Sequence, residues 1–413
     1  MIFSPIHHTF APHATASYAW KAKMLSLMPW NYRRNGPVTK LEEELGAHLQ
    51  ADVVTFGSGR EGLFALMKAL RLQPDEEVIV QGYTCVVVPN AVNAAGMKTV
   101  YADIDRETLN LNIEETEKAI TPKTRAIICQ HTFGIPANAK KLRELCDKNG
   151  LALIEDCAHI IPDRSGPSEI GRHGDFILLS FGRDKAISGI SGGAMVSRRK
   201  DVTEELRRLQ SKARPLSRGT VWALLQYPLL YLIARPLYGL GIGKALLVMS
   251  AKLKMLVPIV TRREKLGDMP AVLHRMPAPC AQLALGELHA LQTINDHRRM
   301  LTKLYLEHGK MNGWPVLEGV TADLPLQKFP LFIAGADRIR ATLKKQNVHL
   351  SDGWTGCVIC PAGVDEAAAG YEDGTDPAAE AVCEQILSLP THPTMTLSQA
   401  HTLIQLLDPL LKR

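Results

Sequence analysis

From Val38 the chain settles into a regular succession of apolar runs. Leu41, Leu45 and Leu49 recur at four-residue spacing in VTKLEEELGAHL and predict one face of a helix. VVTF (53–56) follows as a short strand, then a Gly turn, then a helical pattern through GLFALMKAL. EVIV (77–80) is the next strand, and an apolar stretch leads from it to Ala95. TVYADI (99–104), RAIICQ (125–130), ALIEDC (152–157), FILLSF (176–181) and AMVS (194–197) continue the series, with helical patterns at 114–119 and 138–149. Short apolar strands separated by helices predict an α/β domain around a mainly parallel sheet. Ligands of such sheets gather at the carboxyl ends of the strands.

The second half has a different rhythm. A helical pattern runs over 279–306, a short apolar run over 329–333, and a helix over 398–411. These predict a smaller C-terminal α+β domain. The expected organisation is an irregular segment 1–36, a large domain 37–205, an insertion 206–266 and a small domain 267–413.

Charge sharpens the insertion. The 413 residues carry 48 Lys and Arg against 42 Asp and Glu, a net +6. Residues 206–263 contain no acid and eleven bases, so the remainder is a mildly acidic body with a balance of −5. Hydrophobic residues at 46% and charged residues at 22% exclude collagen-like and wholly disordered chains. The eight Cys do not suit a disulfide scaffold at this length, which points to a reducing, cytoplasmic setting. Cys357 and Cys360 form a lone C-x-x-C without the second ligand pair that zinc needs, so no metal is expected. The N-terminus lacks a basic region followed by an apolar run, and no signal peptide is expected.

Three motifs compete for the chemistry. Residues 57–62 match G-x-G-x-x-G between a strand and a helix, the setting of a dinucleotide fingerprint. A nicotinamide oxidoreductase would then have an acid about 20 residues on for the ribose. Gln81 and Gly82 stand at that strand end instead. The phosphate-binding physics of a helix N-terminus survives that loss. Residues 189–193 match G-x-S-x-G, but AMVS after them is strand-like, whereas a nucleophile elbow leads into a helix. Ser191 is therefore expected to be a loop residue. The third set is Asp156 at the end of one strand and Lys185 after the end of another. A Lys, an Asp and a phosphate cup are what pyridoxal phosphate requires: the Lys bonds to its aldehyde and moves protons, and the Asp keeps the ring nitrogen protonated.

Seven segments in order resemble the DegT/StrS family of sugar aminotransferases, pyridoxal-phosphate enzymes of fold type I. They are GPVTKLEEELGAHL, VVTFGSGREGLFALMKALRL, YADIDRETLNLN, QHTFGIPAN, IEDCAH, LSFGRDKAISGISGGAMVS and LSLPTHPTMT. The similarity runs over 36–199 and resumes over 273–396. It implies a three-layer large domain and a homodimer. It also implies amino-group transfer, with glutamate as donor, to a keto sugar, nucleotide-linked, in surface polysaccharide or amino-sugar biosynthesis. Lys185 would be the cofactor-bearing lysine, Asp156 the partner of the pyridine nitrogen, and His159 a neighbour of the phenolic oxygen. Ser58, Gly59, Arg60 and Ser180 would hold the phosphate. Lys rather than His at 185 argues against the family's dehydratase branch.

The departures are specific. Arg60 stands where the family has Thr, and a guanidinium can also hold a phosphate. Cys85 stands where an aromatic stacks on the cofactor, which leaves stacking to another residue such as Tyr83. Leu273 stands where the family's Asn crosses the dimer. Cys85 and Leu273 motivate the alternative of a non-enzymatic protein that kept the fold. The insertion is longer than the resemblance predicts. Residues 219–234 carry no charge, include Trp222, Tyr227 and Tyr231, and are interrupted by Pro228. A membrane span takes about 20 apolar residues. Bases flanking Leu-rich and aromatic stretches fit peripheral contact at the inner face of the membrane. A dimer interface and a cover over the site remain alternatives. Nucleic acid fits less well, because the bases lie among aliphatic runs.

Overall fold

The computed structural model describes residues 4–8, 11–163 and 169–411. Helices α1 (Ala16–Ser26) and α2 (Gly36–Leu49) precede the first strand of the central sheet, β1 (Asp52–Phe56). The sheet continues with β2 (Glu77–Gln81), β3 (Lys98–Ala102), β4 (Thr124–Gln130), β5 (Ala152–Asp156), β6 (Phe176–Ser180) and β7 (Gly193–Ser197). Across the sheet the order is β1-β7-β6-β5-β4-β2-β3. Strands β3, β2, β4, β5 and β6 are parallel, and β7 runs antiparallel between β6 and β1. Parallel neighbours need crossover helices. The connections between successive strands carry α3 (Gly59–Ala69), α4 (Val87–Ala94), α5 (Ile113–Lys118) and α6 (Ala139–Asn149). The β6–β7 pair is antiparallel, so the loop 181–192 that joins it needs no crossover. It crosses the carboxyl edge of the sheet, and Lys185 sits on it.

Side chains alternate between the two faces along each strand. Val54, Ile154, Leu178 and Met195 enter one core, with Leu63 and Leu66 of α3. Val53, Ile177, Leu179 and Val196 enter the opposite face, with Leu41 and Leu45 of α2. On that side Leu153 packs with Leu142 and Leu145 of α6. This is the expected three-layer arrangement.

After β7 come α7 (Lys200–Lys212), α8 (Arg218–Ala234), α9 (Ile242–Lys252) and the single turn α10 (Arg262–Lys265). The C-terminal part is built from α11 (Ala278–His289), α12 (Leu291–Asn312), α13 (Ala336–Lys344), α14 (Pro377–Gln385) and α15 (Leu397–Leu411). Its strands Lys328–Phe332 and Ile386–Pro390 pair antiparallel. Leu301, Tyr305, Phe329, Leu387 and Leu403 share its core.

The structure corrects three expectations. The described part of 1–36 is not irregular: Ile6–His7 pairs with Val348–His349, and α1 is capped by the Thr15 hydroxyl, which accepts from the Tyr18 N–H at 3.2 Å. Helix α1 is apolar on both sides, with Tyr18, Ala22 and Leu25 buried and Trp20 exposed, so its periodicity is hard to read. Helix α8 runs through Pro228, whose ring is buried, rather than stopping there. The pattern over 279–306 is two helices, broken at Ala290.

Candidate active site

A cavity of about 740 Å³ opens at the carboxyl ends of β5 and β6 and the N-terminus of α3. Ser58 is the N-cap of α3, in extended conformation, and its Oγ accepts from the Glu61 N–H at 3.4 Å. The Gly59 and Arg60 N–H groups lie in the first turn, where the helix itself supplies no acceptor. They make an anion cup of the kind that phosphate occupies. The backbones around the cup touch. A Cβ on Gly193 would lie 2.3 Å from the Gly59 nitrogen, and one on Gly59 would lie 3.2 Å from the Ser180 Cβ. That close approach is what the glycines at 59 and 193 permit, and it places the Ser180 hydroxyl beside the cup.

Asp156 ends β5 and lines the cavity. Its Oδ1 accepts from the Ala158 N–H at 2.9 Å. Burial raises its pKa, against the opposing pull of that N–H and of the Lys185 charge. Lys185 lines the same cavity from loop 181–192. The loop is pinned from behind: the Lys185 carbonyl accepts from His13 Nε2 at 2.9 Å and from Arg298 at 3.3 Å, and the Ala186 carbonyl accepts from Arg298 at 2.8 Å.

His159 is buried, and its Nδ1 accepts from the Phe133 N–H at 3.1 Å. A neutral ring with that acceptor carries its proton on Nε2. Burial, with the charges of Lys185 and Lys328, holds its pKa well below the ordinary histidine value. Phe133 stacks on the ring at 5.8 Å and Trp354 meets it edge-on at 5.1 Å.

Ser58, Gly59, Arg60, Cys85, Asp156, His159, Ser180 and Lys185 all line this one cavity. Two contacts differ from expectation. The Arg60 guanidinium is turned away to Glu264 and, at 2.7 Å, to the Ile259 carbonyl, so its backbone rather than its side chain faces the cup. Tyr83 cannot stack in the cavity, because its ring is buried against Phe133 and Trp354 and its hydroxyl donates to the Trp354 carbonyl at 2.6 Å. Cys85 does line the cavity, paired with Cys360 in a short parallel bridge of strands.

Other residues enter the site without a local signature. Trp354 lines it from the C-terminal domain. Arg183 lines it as well, lies 4.1 Å from the Tyr227 ring centre and donates to the Val257 carbonyl at 2.8 Å. Val257, Ile259, Thr261 and Glu264 of the insertion form one wall. Of the three alternatives for that insertion, a cover over the site is the one that this lining supports, for 257–264. Leu273 packs on the sheet core, while its neighbour His274 faces the cavity and pairs with Glu61 at 3.2 Å.

The competing motifs resolve physically. Ser191 Oγ donates to the Gly57 carbonyl at 2.8 Å and leads into β7, so it ties two loops together. The Gln81 amide donates to the Tyr83 and Leu109 carbonyls at 2.6 and 3.0 Å. His131, Glu155 and Cys157 cluster closely enough to hold a metal. However, the Glu155 carboxylate already accepts from the N–H groups of Gly171, His173 and Gly174 at 2.6–2.8 Å and from His131 at 3.0 Å. A second cavity, of about 650 Å³, lies against α2 and α7 and contains none of the expected site residues.

Comparison with known proteins places the chain in a family. The DegT/DnrJ/EryC1/StrS aminotransferase family model matches residues 23–224 and 251–408. GDP-perosamine synthase of Vibrio cholerae is 32% identical over 184 residues, 44% of this chain and about half of that enzyme. The UDP-N-acetyl-3-dehydro-alpha-D-glucosamine 3-aminotransferase of Acidithiobacillus ferrooxidans is 27% identical over 82% of this chain and 78% of its own length. Among solved structures, NtdA of Bacillus subtilis with bound cofactor PMP aligns with TM-score 0.73 and 20% identity, over 100% of this chain and 86% of that one. Helicobacter pylori PseC, an aminotransferase involved in the biosynthesis of pseudoaminic acid, aligns with TM-score 0.73 and 16% identity, over 100% and 99%.

Proposed function

Because the chain belongs to the DegT/DnrJ/EryC1/StrS aminotransferase family, we propose that it transfers an amino group from an amino acid, glutamate, to the keto carbon of a nucleotide-linked sugar, with pyridoxal phosphate bound in the 740 Å³ cavity. The observation that carries this is the convergence of Lys185, Asp156 and the α3 anion cup on one cavity. The residues fit the cofactor. The cup and Ser180 match a phosphate, the buried Asp156 carboxylate matches a protonated ring nitrogen, and His159 Nε2–H matches a phenolate oxygen.

Pyridoxal phosphate supplies an electron sink that acidifies the α-carbon of a bound amine. The chain's own residues do the rest. The Gly59 and Arg60 N–H groups and Ser180 hold the phosphate end. Asp156, kept from solvent, holds the proton on the ring nitrogen. Lys185 Nζ removes the proton from the donor's Cα and later returns one to the acceptor carbon. The insertion wall from Val257 to Glu264 excludes water from that exchange.

The same proposal has the protein acting as a cytoplasmic homodimer in surface polysaccharide or amino-sugar biosynthesis, with 206–266 touching the inner face of the membrane. The basic, acid-free composition of 206–263 supports that contact. No helix among the described residues is long and apolar enough to cross a membrane. The test is transfer of nitrogen from 15N-glutamate to a panel of nucleotide-linked keto sugars. Transfer lost in Lys185→Ala supports the assignment. Full turnover in that variant would overturn the role of the lysine.

A further inference from the structure

Residues 1–41, like 206–263, contain no Asp or Glu. The fold brings these two acid-free segments together. Helix α1 lies along α8, and α9 packs on α8 in turn. Tyr18, Ala22 and Leu25 of α1 share a core with Val221, Leu224 and Leu225 of α8. The two segments hold sixteen Lys and Arg. Arg207, Arg208 and Arg263 are matched by Glu42, Glu205 and Asp268. Lys244, Lys252 and Lys254, on and just after α9, have no carboxylate anywhere in their own segment.

Exposed apolar side chains concentrate in the same region. Among the described residues, every strongly exposed large hydrophobic except Met300, Met311 and Leu397 lies between residues 20 and 30 or between 222 and 272. Trp20 and Trp30 are 63% and 66% exposed, Leu240 66% and Met249 58%. Exposed aromatic and aliphatic groups in such number mark an interaction surface. Tryptophans and lysines together, without acids, match an anionic interface. The ring sits at headgroup depth, and each base near the surface adds to the attraction for anionic headgroups. The family match skips 225–250, so α9 and the end of α8 are additions to the family's frame.

We propose that α1, the turn Pro29–Asn31, the end of α8, and α9 form one composite docking face for an anionic lipid bilayer. This rests on the peripheral contact proposed above for 206–266 and adds to it: half of the face comes from the N-terminal segment. The face is also continuous in the chain with the wall of the active site. The segment that follows α9 runs through Val257, Ile259 and Glu264, which Arg183 and Arg60 hold at the cavity.

The experiment is co-sedimentation of the full chain with vesicles of phosphatidylcholine alone and of phosphatidylcholine mixed with phosphatidylglycerol. Binding to the mixed vesicles only, weakened by salt, is expected. Two double variants divide the face: Trp20→Glu with Trp30→Glu, and Leu240→Glu with Met249→Glu. Each is expected to weaken binding by about tenfold or more, with nitrogen transfer in the absence of vesicles unchanged. Binding lost only in the second variant overturns the composite face and leaves the contact through 206–266 standing. Absence of binding to either vesicle overturns both. If the first variant instead dissolves a stable dimer and leaves vesicle binding intact, the face is a protein interface and the proposal falls.

Discussion

The guanidinium of Arg60, in the first turn of α3, is paired with the carboxylate of Glu264, which is anchored in the inserted segment by a capping box with Thr261. One ion pair thus joins the anion cup to its cover. Burial pushes the Glu264 carboxyl up, but the Arg60 charge and the Thr261 N–H outweigh it, and the carboxyl sits below its usual range. A depressed carboxylate stabilises the fold above its unfolded value and loses that contribution as pH falls through the folded one.

Glu264→Gln is accordingly expected to cost about 1–3 kcal/mol, because it leaves Arg60 without its charge partner. In denaturant titrations the difference from the parent should be present at neutral pH and shrink only as pH falls below about 4.5, the unfolded value, through the lower folded one. A difference that stayed constant with pH would contradict the pairing. With the cover released, the acceptor KM should rise more than kcat falls.

His159 is expected to act as a neutral donor. The Phe133 N–H occupies Nδ1, and burial suppresses the imidazolium. His159→Phe should therefore lower kcat/KM by about 10- to 100-fold, the worth of one hydrogen bond to a charged oxygen. The pH profile of the parent should show no inflection near 6.5 from this ring. An inflection there that vanished in His159→Phe would contradict the neutral assignment.

Asp156→Asn keeps the shape of the β5 terminus and the acceptor for the Ala158 N–H, but removes the charge. A fall in kcat of about 10²- to 10³-fold is expected, comparable to losing one oriented electrostatic partner in a dry site. Cofactor retention should change much less. Near-parental kcat would remove Asp156 from the chemistry.

Asp376 offers a stability test outside the lining of the cavity. It precedes α14 and is buried with no partner on Oδ2. Burial, with Asp103, Glu380 and Glu115, raises its pKa to about 7. A raised carboxyl binds its proton more tightly in the folded chain. Stability falls as pH rises from the unfolded value through about 7 and then levels off. Asp376→Asn should therefore stabilise the protein by about 2–3 kcal/mol more at pH 8 than at pH 5. Equal effects at both pH values would contradict the shift.

What could be read from sequence is what is local. Asp156 and Ser180 end strands, Ser58 and Gly59 open a helix, and Lys185 follows a strand on its outgoing loop, so pattern alone puts them at one edge of the sheet. The sheet itself was legible because each strand is a short apolar run between polar turns. Trp354 was not, because it reaches the cavity from a domain whose placement no local pattern encodes. Nor were Arg183 over Tyr227, or Arg60 with Glu264: each pair joins a turn of the large domain to the insertion, and composition shows the insertion's bases but not their partners. Tyr83 illustrates the reverse. It lies next to the right strand, but a two-residue strand at Thr84–Cys85 turns Cys85 rather than Tyr83 to the cavity.

The most direct test of the central claim is peptide mass analysis of the purified protein after borohydride treatment in the presence of pyridoxal phosphate. The account predicts a single pyridoxyl-phosphate adduct on the peptide that contains Lys185, absent from Lys185→Ala. An adduct on another lysine, or none at all, would contradict it.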